Sequence, residues 1–282
     1  MLYNGLVLKS TGSWYNVLSD DGTIYKCSLK GTFRLKDIST TNPIAVGDKV
    51  KFILCENENA GLINEIKDRK NYIIRKSVKL SKQKQIVASN VGMALLIVTM
   101  MNPLTPLGFI DRFLVTAAAY HIPTSIIINK IDIYKNKSLE KMKSFIELYE
   151  NIGYNIITTS ATEKINIETI KDLMKNKVTL LSGNSGVGKS TLVNTIEPHL
   201  NIKVKALSKY HLMGVHTTTF VEMHKLSFGG YIIDTPGLRE FGIVDFKVEE
   251  VSHFFPEMKK YLDDCNYNNC LHTNQTDCAV QK

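Results

Sequence analysis

Up to about residue 68 the chain alternates short apolar segments with turn residues. Strands are predicted over Leu2–Leu8, Trp14–Leu18, Thr23–Leu29, Asp48–Leu54 and Leu62–Ile66, separated by turn signals such as Asp20-Asp21-Gly22 and Asn59-Ala60-Gly61. Five short strands in so short a stretch fit an all-β OB barrel, and an SH3-like barrel would give much the same pattern. Residues 68 to 85 are basic and lack a clear period, so they read as a connector with Arg75, Lys76 and Lys79 exposed. From Val91 the pattern changes. Near-continuous apolar runs at 91–99, 124–128, 155–159 and 178–182 alternate with helical segments at 108–120, 138–151 and 167–176. Unbroken apolar strands between helices imply a parallel sheet covered on both faces. Residues 200–219 show no clean period and read as a mobile segment. A hairpin follows about Gly229-Gly230, and a short, partly helical tail starts near Lys247.

The expected organisation is therefore multidomain: an OB barrel over residues 1–68, an α/β domain over 69–244, and a small α unit over 245–282. A chain of 282 residues is long enough for this. Its 44% hydrophobic and 22% charged content is that of a soluble globular protein. The longest apolar run, Met93 to Met101, is too short to span a membrane, and no signal-peptide pattern is visible. A cytoplasmic protein is expected. The formal charge of +8 favours a polyanionic partner. Residues 1–80 hold 13 Lys/Arg against 8 Asp/Glu, and Trp14, Tyr15, Tyr25 and Phe33 interleave there with Lys26, Lys30, Arg34 and Lys36. That mixture suits nucleobase stacking beside a phosphate backbone. Cys27 and Cys55 stand alone in strand-like runs and are expected as small core residues.

The chemistry is carried by strand ends. Gly183-Asn184-Ser185-Gly186-Val187-Gly188-Lys189-Ser190 fits the phosphate-loop pattern at every defined position, between strand Val178–Ser182 and a helix opening at Thr191. Its backbone N–H groups can cradle phosphates at a helix N-terminus, Lys189 can reach the β/γ-phosphates, and the Ser190 hydroxyl can bind Mg²⁺. Asn129-Lys130-Ile131-Asp132 follows the strand at 124–128, where ligands sit in open α/β sheets. In this pattern a carboxylate, here Asp132, accepts from guanine N1–H and the exocyclic amine, which adenine cannot offer. Ser160-Ala161 ends the next strand and would bring the Ala161 N–H towards guanine O6. Asp234-Thr235-Pro236-Gly237 ends the strand at 231–233, with Asp234 expected on Mg²⁺ and the Gly237 N–H on the γ-phosphate. Together these motifs specify a GTPase. Their order is rotated, because the guanine motif precedes the phosphate loop, so the domain is circularly permuted.

Near the end, Cys265, Cys270, His272 and Cys278 fall within fourteen residues. Three thiolates and an imidazole suit one closed, structural zinc site in a segment too short to bury a core.

With the stretch Gly214-Val215-His216-Thr217-Thr218-Thr219, these features together resemble the RsgA/YjeQ family of circularly permuted GTPases, over essentially the whole chain. The resemblance implies a GTP hydrolase that binds the small ribosomal subunit and its rRNA and acts in late maturation, with turnover stimulated by the subunit. The alternatives are a nucleotide-gated RNA-binding switch with negligible turnover, or a GTPase acting on another RNA such as tRNA. A monomer is expected. Family members continue into a helical tail after the last cysteine, and this sequence reaches only Lys282, so RNA contacts through that tail are not carried over. Thr218 or Thr219 is expected to close on Mg²⁺ in the GTP state. Many GTPases place a glutamine directly after the D-x-x-G glycine, but here that position is Leu238, which cannot orient water. His216 lies just before the closing threonines and is the expected catalytic group, beside Lys189.

Overall fold

The computed structural model describes residues 1–29, 43–55, 60–76, 84–202, 221–234 and 246–282, omitting the side chains of residues 75, 76, 84, 85 and 234. The first five strands are β1 (Leu2–Ser10), β2 (Tyr15–Ser19), β3 (Ile24–Leu29), β4 (Lys49–Leu54) and β5 (Ala60–Ile66). They close into a barrel in the order β1-β2-β3-β5-β4, with β4 returning to β1. All pairs are antiparallel except β3 and β5, which run parallel. Side-chain alternation decides what faces inward: on β2, Tyr15, Val17 and Ser19 are buried while Asn16 and Leu18 are not. Tyr15, Val17, Cys27, Phe52 and Ile63 fill the interior together with Val7, Ile44 and Val50.

The stretch read as a connector is instead a hairpin. Strands β6 (Tyr72–Lys76) and β7 (Lys84–Ser89) pair antiparallel, with a register shift between Ile73 and Ile74. That bulge turns two consecutive isoleucines inward, and Ile86, Val87 and Ala88 opposite them are also buried. A strand root buried on both faces has no period-two alternation, which is why none was visible.

The central sheet consists of β8 (Met93–Val98), β9 (Thr124–Ile128), β10 (Asn155–Thr158), β11 (Val178–Ser182), β12 (Glu222–Lys225) and β13 (Tyr231–Asp234). Its order is β10-β9-β8-β11-β13-β12, parallel except for β12. Helices α1 (Leu107–Ala119) and α2 (Lys137–Ile152) cover one face, and α3 (Ile167–Met174) and α4 (Lys189–Ile196) the other. β8 is buried along its whole length. Its Ala94, Leu96 and Val98 pack under the first pair of helices and its Met93, Leu95 and Ile97 under the second. The fully apolar run is thus a strand between two layers.

The barrel is fastened to the rest of the chain at β12 and beside the hairpin. β12 pairs antiparallel with β1 at Lys9 and Glu222, whose side chains form an ion pair at 2.7 Å. Beside this, the fully buried Asp48 gathers four donors. Arg69 gives Nε at 2.6 Å and Nη2 at 2.5 Å, Ser89 gives its hydroxyl at 2.6 Å, and Ala45 gives its N–H at 2.8 Å. Arg69 sits in the predicted connector, yet it is buried because it is the counter-charge of a buried carboxylate.

Residues 246–282 form short helical turns, including α5 (Pro256–Lys259). They lean on the end of α1, where Tyr120 meets Phe246 edge-on at 6.2 Å between ring centres, and Phe254 braces Phe246 in turn at 5.0 Å. No described helix is long and apolar enough to cross a membrane.

Two expectations about the barrel change. Cys27 is in the core, but Cys55 lies just past β4 and is exposed, with only its N–H tied to the Ala60 carbonyl. Of the aromatics read as a binding face, Tyr15 is a core residue and Tyr25 is half-buried against Phe52, while Trp14 is 43% exposed with the Lys26 ammonium 4.7 Å from its ring centre. Phe33, Lys30, Arg34, Lys36 and Lys79 lie outside the described residues.

Candidate active site

The C-terminal ends of β9, β10, β11 and β13 lie along one edge of the sheet, with β8 between the two pairs, and each bears one of the motifs. The loop after β11 turns through positive φ at Gly183, Gly186 and Gly188. At Gly183 a Cβ would strike the Ile97 carbonyl, and at Gly188 it would strike the Asn129 amide, so only glycine lets the loop pass this close to its neighbours. Val187 is buried between them and anchors the loop in the core. Ser182 is buried at the end of β11, while Asn184, Gly186 and Ser190 are half-buried and Ser185 is exposed. α4 begins at Lys189, with Ser190 and Thr191 in its first turn. The Lys189 ammonium bonds the carbonyls of Gly183 at 2.5 Å and Asn184 at 2.7 Å, so the cation sits over the loop's mouth.

The guanine motif is interlocked with this loop. Asn129, 1% exposed, donates its amide to the Val187 carbonyl at 2.9 Å and accepts the Ala161 N–H at 3.2 Å. One side chain therefore ties together the ends of β9, β10 and β11. The Ala161 N–H, expected to point at guanine O6, is bonded to Asn129 here. Ser160 is buried and gives its hydroxyl to a carboxylate oxygen of Asp132 at 2.5 Å, orienting a side chain whose residue is otherwise exposed. Ile131 opens a tight turn and donates its N–H to the Thr159 carbonyl. Lys130 takes a left-handed backbone conformation, φ 65°, and donates its ammonium to the Asn102 carbonyl at 2.7 Å. Partial burial draws its ammonium below its ordinary pKa, against the pull of the Asp132 charge.

Two things were not legible in the motifs. The segment Thr99–Thr105 after β8 is closed on itself by its two threonines, and the buried Tyr134 hydroxyl sits between that segment and Asn129. The only sequence signal was that both lie at strand ends. Asp234 ends β13, whose Ile233 is in register with Leu180 of β11, so its backbone stands next to the phosphate loop's strand. His216, Thr218, Thr219, Gly237 and the Asp234 side chain lie outside the described residues.

Cys265, Cys270, His272 and Cys278 bring their ligand atoms within 4.8 Å of one another. His272 Nδ1 is 3.6 Å from the Cys265 sulfur and 3.3 Å from the Cys278 sulfur. The edge of a tetrahedral zinc site with one nitrogen and one sulfur is about 3.5 Å. The cluster can hold a metal ion.

The model of the RsgA GTPase matches residues 66–244, and that of the RsgA N-terminal domain matches residues 4–63. A protein of Flavobacterium psychrophilum described as small ribosomal subunit biogenesis GTPase RsgA is 53% identical over 279 residues, covering 98% of this chain and 86% of that protein. A second, RsgA 2 of Bacteroides thetaiotaomicron, is 50% identical over 278 residues, 99% of this chain and 89% of that protein. Among solved structures, YjeQ from Thermotoga maritima has a TM-score of 0.78 at 32% identity, covering all of this chain and 90% of that one. YloQ, described as a circularly permuted GTPase, has a TM-score of 0.75 at 29% identity and covers 100% and 87%. Barrel, rotated motif order and matched models agree, and the chain belongs to the RsgA GTPase family.

Proposed function

We propose that this protein hydrolyses GTP while docked on the small ribosomal subunit, assists the subunit's late maturation, and leaves or rearranges after hydrolysis. The observation that carries the reading is the Asn129 side chain, which bonds the phosphate loop through Val187 and the neighbouring strand end through Ala161. It holds the base end and the phosphate end of one site in fixed relation. The names of the relatives supply the subunit.

In this reading Asp132 accepts from the guanine edge, Asn129 braces it, the Lys130 stem lies along the ring, and Ile131, Ser160 and Ala161 complete the base pocket. The backbone from Ser182 to Thr191 surrounds the phosphates, with Lys189 neutralising charge that builds in the transition state. Ser190, Asp234 and one of Thr218 and Thr219 would hold Mg²⁺, and hydroxyl and carboxylate oxygens are the hard donors that ion takes. When bound, Mg²⁺ neutralises charge on the β- and γ-phosphates. Gly237 donates its N–H to the γ-phosphate. His216 accepts a proton from the attacking water, in place of the glutamine that Leu238 replaces. The metal of the Cys265, Cys270, His272 and Cys278 cluster is zinc, structural in role. The basic barrel, with Trp14 and Lys26 on its surface, contacts rRNA, and the protein acts as a cytoplasmic monomer.

Steady-state GTP hydrolysis with and without purified small subunits tests the proposal. Stimulation by small but not large subunits is expected, and turnover unchanged by subunits would reject it. His216→Ala should cost roughly 10²–10⁴-fold in stimulated turnover, the range of a positioned acid–base group. A wild-type stimulated rate in that variant would move the role to rRNA.

A further inference from the structure

The guanine motif is followed two residues later by Tyr134, which is only 5% exposed. Its ring belongs to the core beneath α1 and α2. Packing alone would be served equally well by phenylalanine. The hydroxyl does something else. It donates to the Asn129 carbonyl at 2.6 Å and accepts the Met100 N–H at 2.8 Å. A phenol buried this deeply is costly unless both functions are used, and here both are.

Met100 lies in a closed loop. The Thr105 hydroxyl accepts the Thr99 N–H at 3.0 Å, the Thr105 N–H returns to the Thr99 carbonyl at 2.9 Å, and the Thr99 hydroxyl donates to the Pro103 carbonyl at 2.5 Å. Thr99 and Thr105 are both buried. From the same loop the Asn102 carbonyl accepts the Lys130 ammonium. Two consecutive residues of the guanine motif are thus fastened to this loop, Lys130 by its side chain and Asn129 through Tyr134. The side chain of Asn129 is already committed to Val187 and Ala161 and its N–H to the Val98 carbonyl at 2.9 Å, and Tyr134 supplies the hold on its carbonyl.

We infer that Tyr134 is a positioning residue for guanine recognition, its hydroxyl pinning the Asn129 main chain to the Thr99–Thr105 loop and so holding Asp132 at the base edge. The inference rests on the reading of Asp132 as the guanine acceptor. Burial pushes the Tyr134 phenol up to about 12, so it remains a neutral donor at any pH the protein meets. A base-reading carboxylate needs fixed geometry, since its advantage comes from meeting N1–H and the 2-amine at once. If its support loosens, the ligand with both groups loses more than one that has only N1–H.

Inosine nucleotides lack the 2-amine and make that comparison directly. Equilibrium binding of ribose-labelled GDP and IDP to the full chain is the measurement. Tyr134→Phe keeps the ring and removes the bridge. It should weaken GDP about 3- to 10-fold, the scale of one internal hydrogen bond, and reduce the GDP-to-IDP preference. A purely structural role would lower the melting temperature and leave that preference intact, and an unchanged preference in folded Tyr134→Phe overturns the inference. Thr105→Val removes the acceptor for the Thr99 N–H and should reduce the same preference to a smaller extent. It decides the matter if Tyr134→Phe does not fold, an unchanged preference again overturning the inference. Asp132→Asn is the control for the underlying reading. If it fails to exchange GDP for xanthosine diphosphate, the base assignment is wrong, whatever Tyr134→Phe does.

Discussion

The N-terminal barrel and the C-terminal unit are both small bodies carried by the same central sheet. Eight buried side chains, among them Tyr15, Phe52 and Ile63, fill the barrel inside a closed ring of strands. In residues 246–282 the buried side chains are Ser252, Cys270 and Cys278, so two of the three are prospective metal ligands. Hydrophobic burial holds the first together. The second is too short to exclude much apolar surface from water, and a metal held by its Cys/His cluster would take the place of a core. Their attachments differ in the same sense. A buried ion pair and a strand pairing fix the barrel, whereas an edge-on aromatic contact from Phe246 to Tyr120, at the end of α1, seats the C-terminal unit.

Removing the metal should therefore separate the two bodies most sharply. Structural zinc is worth on the order of 10 kcal/mol in isolated small domains. Chelation, or Cys270→Ser, should unfold residues after about 246 while the barrel and nucleotide binding persist. Hydrogen exchange resolved by segment would show this. Purified protein without stoichiometric zinc would refute the contrast at its root.

Phe52→Ala is the matching insult to the barrel. Phe52 is fully buried and stacks with Tyr3 at 5.6 Å, so a loss of about 3–5 kcal/mol is expected. Denaturant unfolding should show the barrel melting early, with metal content unchanged. Arg69→Ala tests the attachment. It strands the fully buried Asp48 carboxylate without its counter-charge, at a cost of about 3 kcal/mol. Subunit-stimulated turnover should fall more than hydrolysis without subunits, because the barrel would no longer be held in register with the nucleotide site. Lys9→Ala should do least. That ion pair is about one-third exposed on both sides, and such pairs contribute roughly 0–1 kcal/mol. A large effect of Lys9→Ala on melting temperature would mean the strand pairing at Glu222, and not Asp48, fixes the barrel.

The legibility of these parts follows from the range of the interactions that make them. β8, β9 and β11 are continuous apolar runs beside a local motif, and the strands lie where those runs do. The hairpin of β6 and β7 was unreadable because its bulge buries neighbours on both faces. The burial of Arg69 has no local signal, since its partner Asp48 is twenty-one residues away. Nothing near Tyr134 in the chain singles it out, since half of its role lies thirty-four residues upstream at Met100.

The sequence by itself determined most of the elements, the rotated motif order and the identity of the side chains in the Cys/His cluster. Each of these is written in contiguous residues, where spacing and side-chain chemistry suffice. Only the tertiary structure decided how the barrel closes through the parallel pairing of β3 and β5, how β12 carries the central sheet into β1, and which buried polar atoms meet. Those contacts join residues distant in the chain. Their energies come from desolvated partners such as Asp48 with Arg69, and neither residue has a reason to be buried until the other is in place.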